Sequence, residues 1–387
     1  VIITLIIFLI LLSVLVLIHE AGHYFASCMF GVKAEEFGYG LPPRILGFVK
    51  VGNRWKRVGS KDRKEYANTI WSLNWLPIGG FVRIKGEQGE GERDADSFHH
   101  HPIWQRIVIL SAGVGMNWIL AAILISIGLM IGTPTVLSDL PAGADIRQHE
   151  ISVMEILPGS PADKAGIKPN DIITRVADTP AQALEQTRSA IASHGTSTTS
   201  VTILRDHHEL TLPITPVYLE QAKRNGFGVG LIETGVVSYQ PIQAITNGVA
   251  LTGQYTKDVV LSLVDLFRDI VKGGGETVSQ VSGPVGIAVF TGRVAKQGIM
   301  PLIQFAAILS INLAVVNFLP IPALDGGRAV FLVVEALRRK PMNRKTEALV
   351  HNISFFILLA IILLVTIHDL ARYGGAIVNG LRGLVGM

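Results

Sequence analysis

The sequence predicts an α-helical integral membrane protein with about four transmembrane helices, a membrane-associated β-hairpin region and one α+β domain outside the membrane. Three observations predict it. Hydrophobic residues make up 49% of the 387 positions and charged residues only 17%, where soluble proteins average about 25% charged. Mean hydropathy is +0.43. Four stretches, residues 1–30, 107–131, 300–319 and 351–371, match the roughly 20 apolar residues needed to cross a hydrocarbon core. Between the second and third lies a run of alternating strand patterns and turn residues, 142–235, with the character of a folded soluble domain.

The first stretch carries chemistry. His19-Glu20-Ala21-Gly22-His23 places two imidazoles four residues apart, on one face of a helix, where both can reach one metal ion. Glu20 stands beside them as a candidate base. A carboxylate in an apolar helix is expensive and marks a functional site by default. The run is too long for a signal-peptide core and contains this motif, so it reads as a retained span. Cys28 is the single cysteine. It excludes an intrachain disulfide and reads as a small buried apolar residue.

Basic residues set the orientation. Residues 31–106 hold 13 Lys and Arg, and residues 328–350 hold 6. The longer stretch 132–299 holds 13 but offsets them with 16 Asp and Glu. The first and third connections are therefore expected on the cytoplasmic side, with the middle domain and both termini outside. The net charge of +4 is mild. Basic residues are not interleaved with aromatics on one patch, so nothing resembles a nucleic-acid footprint.

Within 31–106, Leu46–Val51, Tyr66–Leu73 and Gly80–Lys85 read as short strands, rich in β-branched and aromatic residues. Trp71, Trp75 and Phe81 are apolar enough for this region to dip into the membrane, where its backbone must be buried in protein or line a cavity. The polar run 87–96 reads as a mobile link, and His99-His100-His101 as an exposed, solvated run. The second span follows at 107–131.

In the α+β domain, strands are expected at 151–157, 172–176, 201–205, 209–214 and 228–232, with helices at 162–166 and 182–193. From 236 to 299 the pattern turns helical: Ile242, Ile245, Val249, Tyr255 and Val259 fall on one face, opposite Gln243, Asn247 and Asp258. That is an amphipathic helix suited to a membrane interface. A glycine run at 273–275 ends it.

The segment 300–338 holds the third span and completes the site. A catalytic zinc centre takes three protein ligands and keeps one open position. Asp325 is the only acid between Glu276 and Glu335. Pro320 and Pro322 break the helix ahead of it, and Gly326 and Gly327 permit close packing behind it. Span parity puts Asp325 on the same side as His19 and His23. His351, His368 and Asp369 flank the fourth span, 351–371, and the last two belong at the far face.

Taken together these motifs resemble the site-2 protease family of intramembrane zinc metalloproteases, of the bacterial regulator-of-sigma-E type. The resemblance runs through His19–His23, Phe37-Gly38-Tyr39-Gly40, Leu76–Val82, Ala112-Gly113 with Asn117, Ser282–Gly286 and Asn317-x-x-Pro320-x-Pro322-x-Leu324-Asp325-Gly326. It implies that His19, His23 and Asp325 bind Zn2+ and that Glu20 is the general base. It further implies that Asn317 and Asn312 hydrogen-bond the substrate backbone, and that Gly79, Gly80, Phe81 and Val82 pair with the substrate as an added strand. The run LPGSPADKAGIKPNDIITRV, residues 157–176, resembles a PDZ signature, which makes 142–235 a PDZ-like domain. Such a domain is a peptide reader or a size filter, and both readings stand.

The chain departs from the family's commonest pattern in carrying one PDZ-like module where relatives of this type carry two, in Val114 where the second span often has proline, and in the histidine triplet. The implied partners are single-span membrane proteins, anti-sigma factors or remnant signal peptides, together with the lipid bilayer and a peptide ligand of the PDZ-like domain. The implied location is the bacterial inner membrane. The rival reading is a catalytically inactive membrane-anchored PDZ scaffold or chaperone, which the intact set His19, Glu20, His23 and Asp325 disfavours.

Overall fold

The computed structural model describes residues 2–62, 64–87, 94–137, 143–205, 208–220, 223–273, 282–340 and 342–385. Most of the polar link at 87–96, the expected domain start at 142, and Gly274 and Gly275 lie outside the described residues. The chain divides into two units, residues 1–126 with 248–387, and residues 127–247.

In the first unit, helix α1 (Ile2–Phe30) is built from Ile and Leu and stops at Gly31. Gly31 adopts φ +78°, and the Val32 N–H donates to the Ser27 carbonyl at 2.8 Å. A left-handed residue of this kind closes a helix because glycine carries no Cβ penalty. Helix α2 (Ile103–Ile131) starts four residues before the expected span. These two helices, the helix Ile299–Phe318 and the segment Lys345–Gly375 are each long and apolar enough to cross a membrane.

Between α1 and α2 the chain forms a sheet of β1 (Ala34–Val51), β2 (Arg54–Val58) and β3 (Ile70–Ile84), in the order β2-β1-β3. The strands are longer than expected, and the stretches 34–45 and 54–58 were not anticipated as strand. β3 wraps β1: Phe37 pairs with Trp71 on one side and with Val82 on the other. The crossing is held by Asn74, whose amide donates to the Tyr39 and Gly40 carbonyls at 3.2 and 3.1 Å. Its tip rests on α1. A Cβ at Gly79 would lie 3.1 Å from Val16, and one at Gly80 3.0 Å from Leu17. Three expectations are corrected here. Cys28 is exposed, on the outward side of α1. His99 and His101 are half-buried: Nδ1 of His99 donates to the Gly86 carbonyl and His101 pairs with Gln105 at 2.8 Å. Burial pushes His99 below the ordinary histidine range. Finally, Phe48, Lys50, Trp55 and Arg57 do gather cations and aromatics on one patch, because β-pairing brings them side by side.

The second unit is α+β. Its strands are β4 (Thr133–Val136), β5 (Asp145–Ile156), β6 (Ile172–Val176), β7 (Thr179–Pro180), β8 (Thr199–Arg205), β9 (His208–Ile214), β10 (Val217–Leu219), β11 (Arg224–Gly226) and β12 (Val229–Ser238). The main sheet runs β4-β12-β5-β6-β8-β9, with β7 on β6, and β10 pairs with β11 separately. Two helices, α3 (Pro161–Lys164) and α4 (Leu184–Ser193), complete it. Ser160 caps α3 by accepting from the Asp163 N–H at 3.3 Å, as N-cap serines do. The core is Ile151, Val153, Ile173, Val201, Ile203 and Phe227, all at most 1% exposed.

Helix α5 (Pro241–Val271) is amphipathic in sequence. Its buried stripe is small and polar rather than large and apolar. A Cβ at Gly248 would lie 2.2 Å from Ser126 Oγ, and Trp118 of α2 donates to Thr256 at 3.1 Å. Then come α6 (Pro284–Gln297), α7 (Ile299–Phe318), α8 (Asp325–Arg338) and α9 (Arg344–Val385). Asp369 of α9 is buried and accepts from the Gly286 N–H at 2.7 Å, so its carboxylate caps the start of α6.

Candidate metal centre

α1 supplies two of the three converging groups. His19 and His23 are 7% and 6% exposed, on the face that packs against α2. That packing depends on missing side chains. A Cβ at Gly22 would lie 2.3 Å from the Ala112 carbonyl oxygen, and one at Gly113 only 2.5 Å from His23 Nε2. Real Cβ atoms do not approach so closely, so glycine at both positions sets how near α2 comes to the imidazoles.

Asp325 arrives from the break between α7 and α8. It is the first residue of α8, and the turn before it folds back tightly. A Cβ at Gly326 would lie 2.2 Å from the Phe318 carbonyl oxygen, and one at Gly327 2.1 Å from that of Ile321. Asp325 Oδ2 ends 2.9 Å from His19 Nε2 and 3.4 Å from His23 Nε2. The two Nε2 atoms are 3.2 Å apart. One ligand atom from each residue lies within 4.8 Å of the others, and no other group of this kind occurs among the described residues.

Two nitrogens and a carboxylate oxygen suit zinc, which takes three protein ligands at catalytic sites. The outer nitrogens support the fit. His23 Nδ1 donates to the Ile109 carbonyl of α2 at 2.8 Å, which leaves Nε2 with its lone pair turned inward. His19 Nδ1 faces the Asn117 side-chain amide at 3.4 Å, while the buried Asn117 Oδ1 has no partner. With the amide turned so that Oδ1 faces the ring, Oδ1 accepts from His19 Nδ1–H, which gives His19 the same tautomer as His23. Asn117 is itself held by α7, since Ser310 donates to its carbonyl at 2.7 Å.

Glu20 accepts a hydrogen bond from the Val82 N–H at 3.0 Å. Of the hairpin residues singled out in the sequence, Val82 is thus tied to Glu20, Gly79 and Gly80 lie against α1, and Phe81 packs near Gly38. The structure makes no such connection for Asn312 or Asn317. Asn312 donates to the Ile308 carbonyl of its own helix at 2.9 Å, and Asn317 is half-buried in the last turn of α7. Sequence reasoning gave no role to Gly113, Asn117 or the Ile109 carbonyl. Asn117 carried two signals, an amide inside an apolar span and its place in the family resemblance; a carbonyl leaves none.

The model of peptidase family M50 matches residues 7–58 and 61–361. The chain belongs to peptidase family M50. The regulator of sigma-W protease RasP of Bacillus subtilis is 29% identical over 95% of this chain and 98% of its own length. A protein of Clostridium perfringens provisionally named a zinc metalloprotease is 31% identical over 92% of this chain and 96% of its own. Among solved structures, a PDZ domain from Listeria monocytogenes aligns with 21% of this chain and 85% of its own at 17% identity and a TM-score of 0.20, too low to bear on the fold. Membership in M50 makes this chain a protease, and the family is the site-2 protease family that its motifs resemble.

Proposed function

We propose that this M50 peptidase is a zinc endopeptidase that cleaves the transmembrane segments of single-span membrane proteins in regulated intramembrane proteolysis. The observation that carries the reading is the convergence of His19, His23 and Asp325, with Glu20 adjacent, beside α1, a helix apolar enough to cross a bilayer. Both relatives described above are proteases by name, and one is named for zinc. Anti-sigma-factor-type proteins are the substrate class suggested by the sigma-W name of the Bacillus relative, and remnant signal peptides fit the same chemistry.

His19, His23 and Asp325 would hold the zinc ion. When bound, zinc supplies Lewis-acid polarisation of the scissile carbonyl and brings the pKa of a water to about 7. Glu20 takes the proton of the attacking water on its carboxylate and passes it to the leaving amine. The Val82 N–H fixes the Glu20 carboxylate at 3.0 Å. β3 stands at the edge of the order β2-β1-β3, and a substrate unwound from its helix would add along Gly79–Val82 as a strand, presenting carbonyls that a helix hides. Asn317, and with it Asn312, would hydrogen-bond the substrate backbone near the scissile bond. Residues 142–235 would act as a PDZ-like domain outside the inner membrane, reading peptide termini or excluding bulky substrates, and the site would lie towards the cytoplasmic side.

The test is Glu20→Gln, reconstituted with a single-span substrate. Cleavage is expected to fall by about 10²–10⁴-fold with zinc content retained. Unchanged cleavage sinks the mechanism, and no cleavage by the unaltered protein leaves the inactive scaffold standing.

A further inference from the structure

The sheet of the first unit has two faces of opposite character. One is covered, with Val49 and Val58 fully buried beside Ile70. The other is open and graded. The registers Phe37↔Trp71, Phe48↔Trp71 and Phe48↔Arg57 place these four residues in one row across the strands, since paired residues share a face. At the inner end, Phe37 and Trp71 pack their rings 5.4 Å from that of Tyr24 on α1. Further out, Trp71 and Phe48 are 42% and 43% exposed. The next pair on this face is Lys50↔Trp55, with Trp55 63% exposed. The row therefore runs from an apolar helix through aromatic rings to cations. Side chains follow that order from hydrocarbon to headgroup depth.

The charge is one-sided. Residues 44–61 contain Arg44, Lys50, Arg54, Lys56, Arg57 and Lys61 and no acid. Arg44 is occupied by the buried Glu36, and Lys56 reaches the Tyr66 hydroxyl at 3.1 Å. Lys50, Arg54 and Arg57 are exposed, with no ion pair among the described residues. Cations on an edge strand such as β2 also guard against aggregation, but that role gains nothing from Phe48 and Trp55 standing exposed among them. An anionic surface with an apolar interior satisfies both features.

We propose that the β1–β2 hairpin, residues 46–58, docks on the anionic headgroups of the leaflet that α1 crosses. Trp55 and Phe48 enter the headgroup layer, and Lys50 and Arg57, which share their face, meet lipid phosphates. Because β1 is also the strand that β3 wraps, docking fixes the depth of the arm carrying Val82. The inference rests on the membrane placement of α1 and not on peptide cleavage.

The experiment uses the full chain in nanodiscs, with a nitroxide at Asn53→Cys in a Cys28→Ser background. Discs of phosphatidylcholine alone are compared with discs containing phosphatidylglycerol. With the anionic lipid, the label is expected to lose access to an aqueous nickel chelate and gain access to oxygen. High salt reverses the change, and replacing Lys50 and Arg57 by glutamine abolishes it, at about fivefold in anionic-lipid preference per cation. Near-UV circular dichroism confirms that this variant is folded. Equal accessibility in both discs overturns the proposal. So does the same shift in phosphatidylcholine discs on adding polyglutamate or RNA, which would assign the surface to a soluble polyanion.

Discussion

In the 127–247 unit the fully buried side chains are apolar, as with Ile151, Val201 and Ile203 at 0% exposure. In the helical unit, residues at 0% include Ser27, Asn117, Thr252, Thr291 and Ser310, while Phe356, Leu363 and Leu364 are 66%, 59% and 66% exposed. The helical unit thus buries polar side chains completely, beside Ile109 and Ile311, and leaves large apolar ones exposed. In water, apolar area drives burial at about 25 cal/mol per Å². Among lipid tails that drive vanishes between helices, and small residues and hydrogen bonds select the interior instead. The metal centre is the extreme of this second rule: two histidines and an aspartate are inside because each has a partner there.

The comparison can be broken in four places, in falling order of effect. Asp325→Ala removes a ligand atom and leaves His19 Nε2 facing an empty position. Zinc content by mass spectrometry should drop well below equimolar, with an affinity loss beyond the roughly 10–100-fold expected for an outer-shell partner. Retained stoichiometric zinc would contradict the convergence. Ile203→Ala should destabilise the sheet unit by about 2–5 kcal/mol, read as faster amide exchange in β8 with no change in zinc content. Asn117→Leu keeps the volume but removes the outer partner of His19. Zinc affinity should fall about 10–100-fold, and excess zinc should restore cleavage; a variant that is merely misfolded would not be rescued. Leu363→Ala sits on the outward side of α9 and should change stability in a bilayer by less than about 0.5 kcal/mol. A loss as large as that of Ile203→Ala would mean the helical unit hides its apolar residues after all.

Much of this was legible in the sequence. The four long apolar helices follow from hydropathy alone, and the spacing of His19 and His23 needs only helical periodicity. Asp325 could be singled out because acids are scarce in that part of the chain. In the sheet unit, β6, β8 and β9 lie within two residues of expectation, since alternating Ile and Val between turn residues have one stable reading. The first strand was less visible. Residues 34–45 carry Phe37-Gly38-Tyr39-Gly40 and the Pro42-Pro43 pair, whose glycines and prolines argue against a strand locally, and only pairing with both arms of β3 makes them one. Cys28 misled for a related reason: burial statistics from soluble proteins do not hold on a helix whose outward side meets lipid. The histidine triplet misled because the Gly86 carbonyl and Gln105 that engage it are fixed by the fold around them.

The hydrogen bond from Val82 to Glu20 differs from the other contacts of the centre in its genetics. Its donor is main chain, so any side chain at position 82 preserves it, and proline alone deletes it. Asn117, by contrast, depends on one residue type. A survey of variants that scores positions by tolerance would therefore rank position 82 as permissive, although it holds the proposed base. The peptidase has placed one of its most consequential contacts where ordinary substitution cannot reach it.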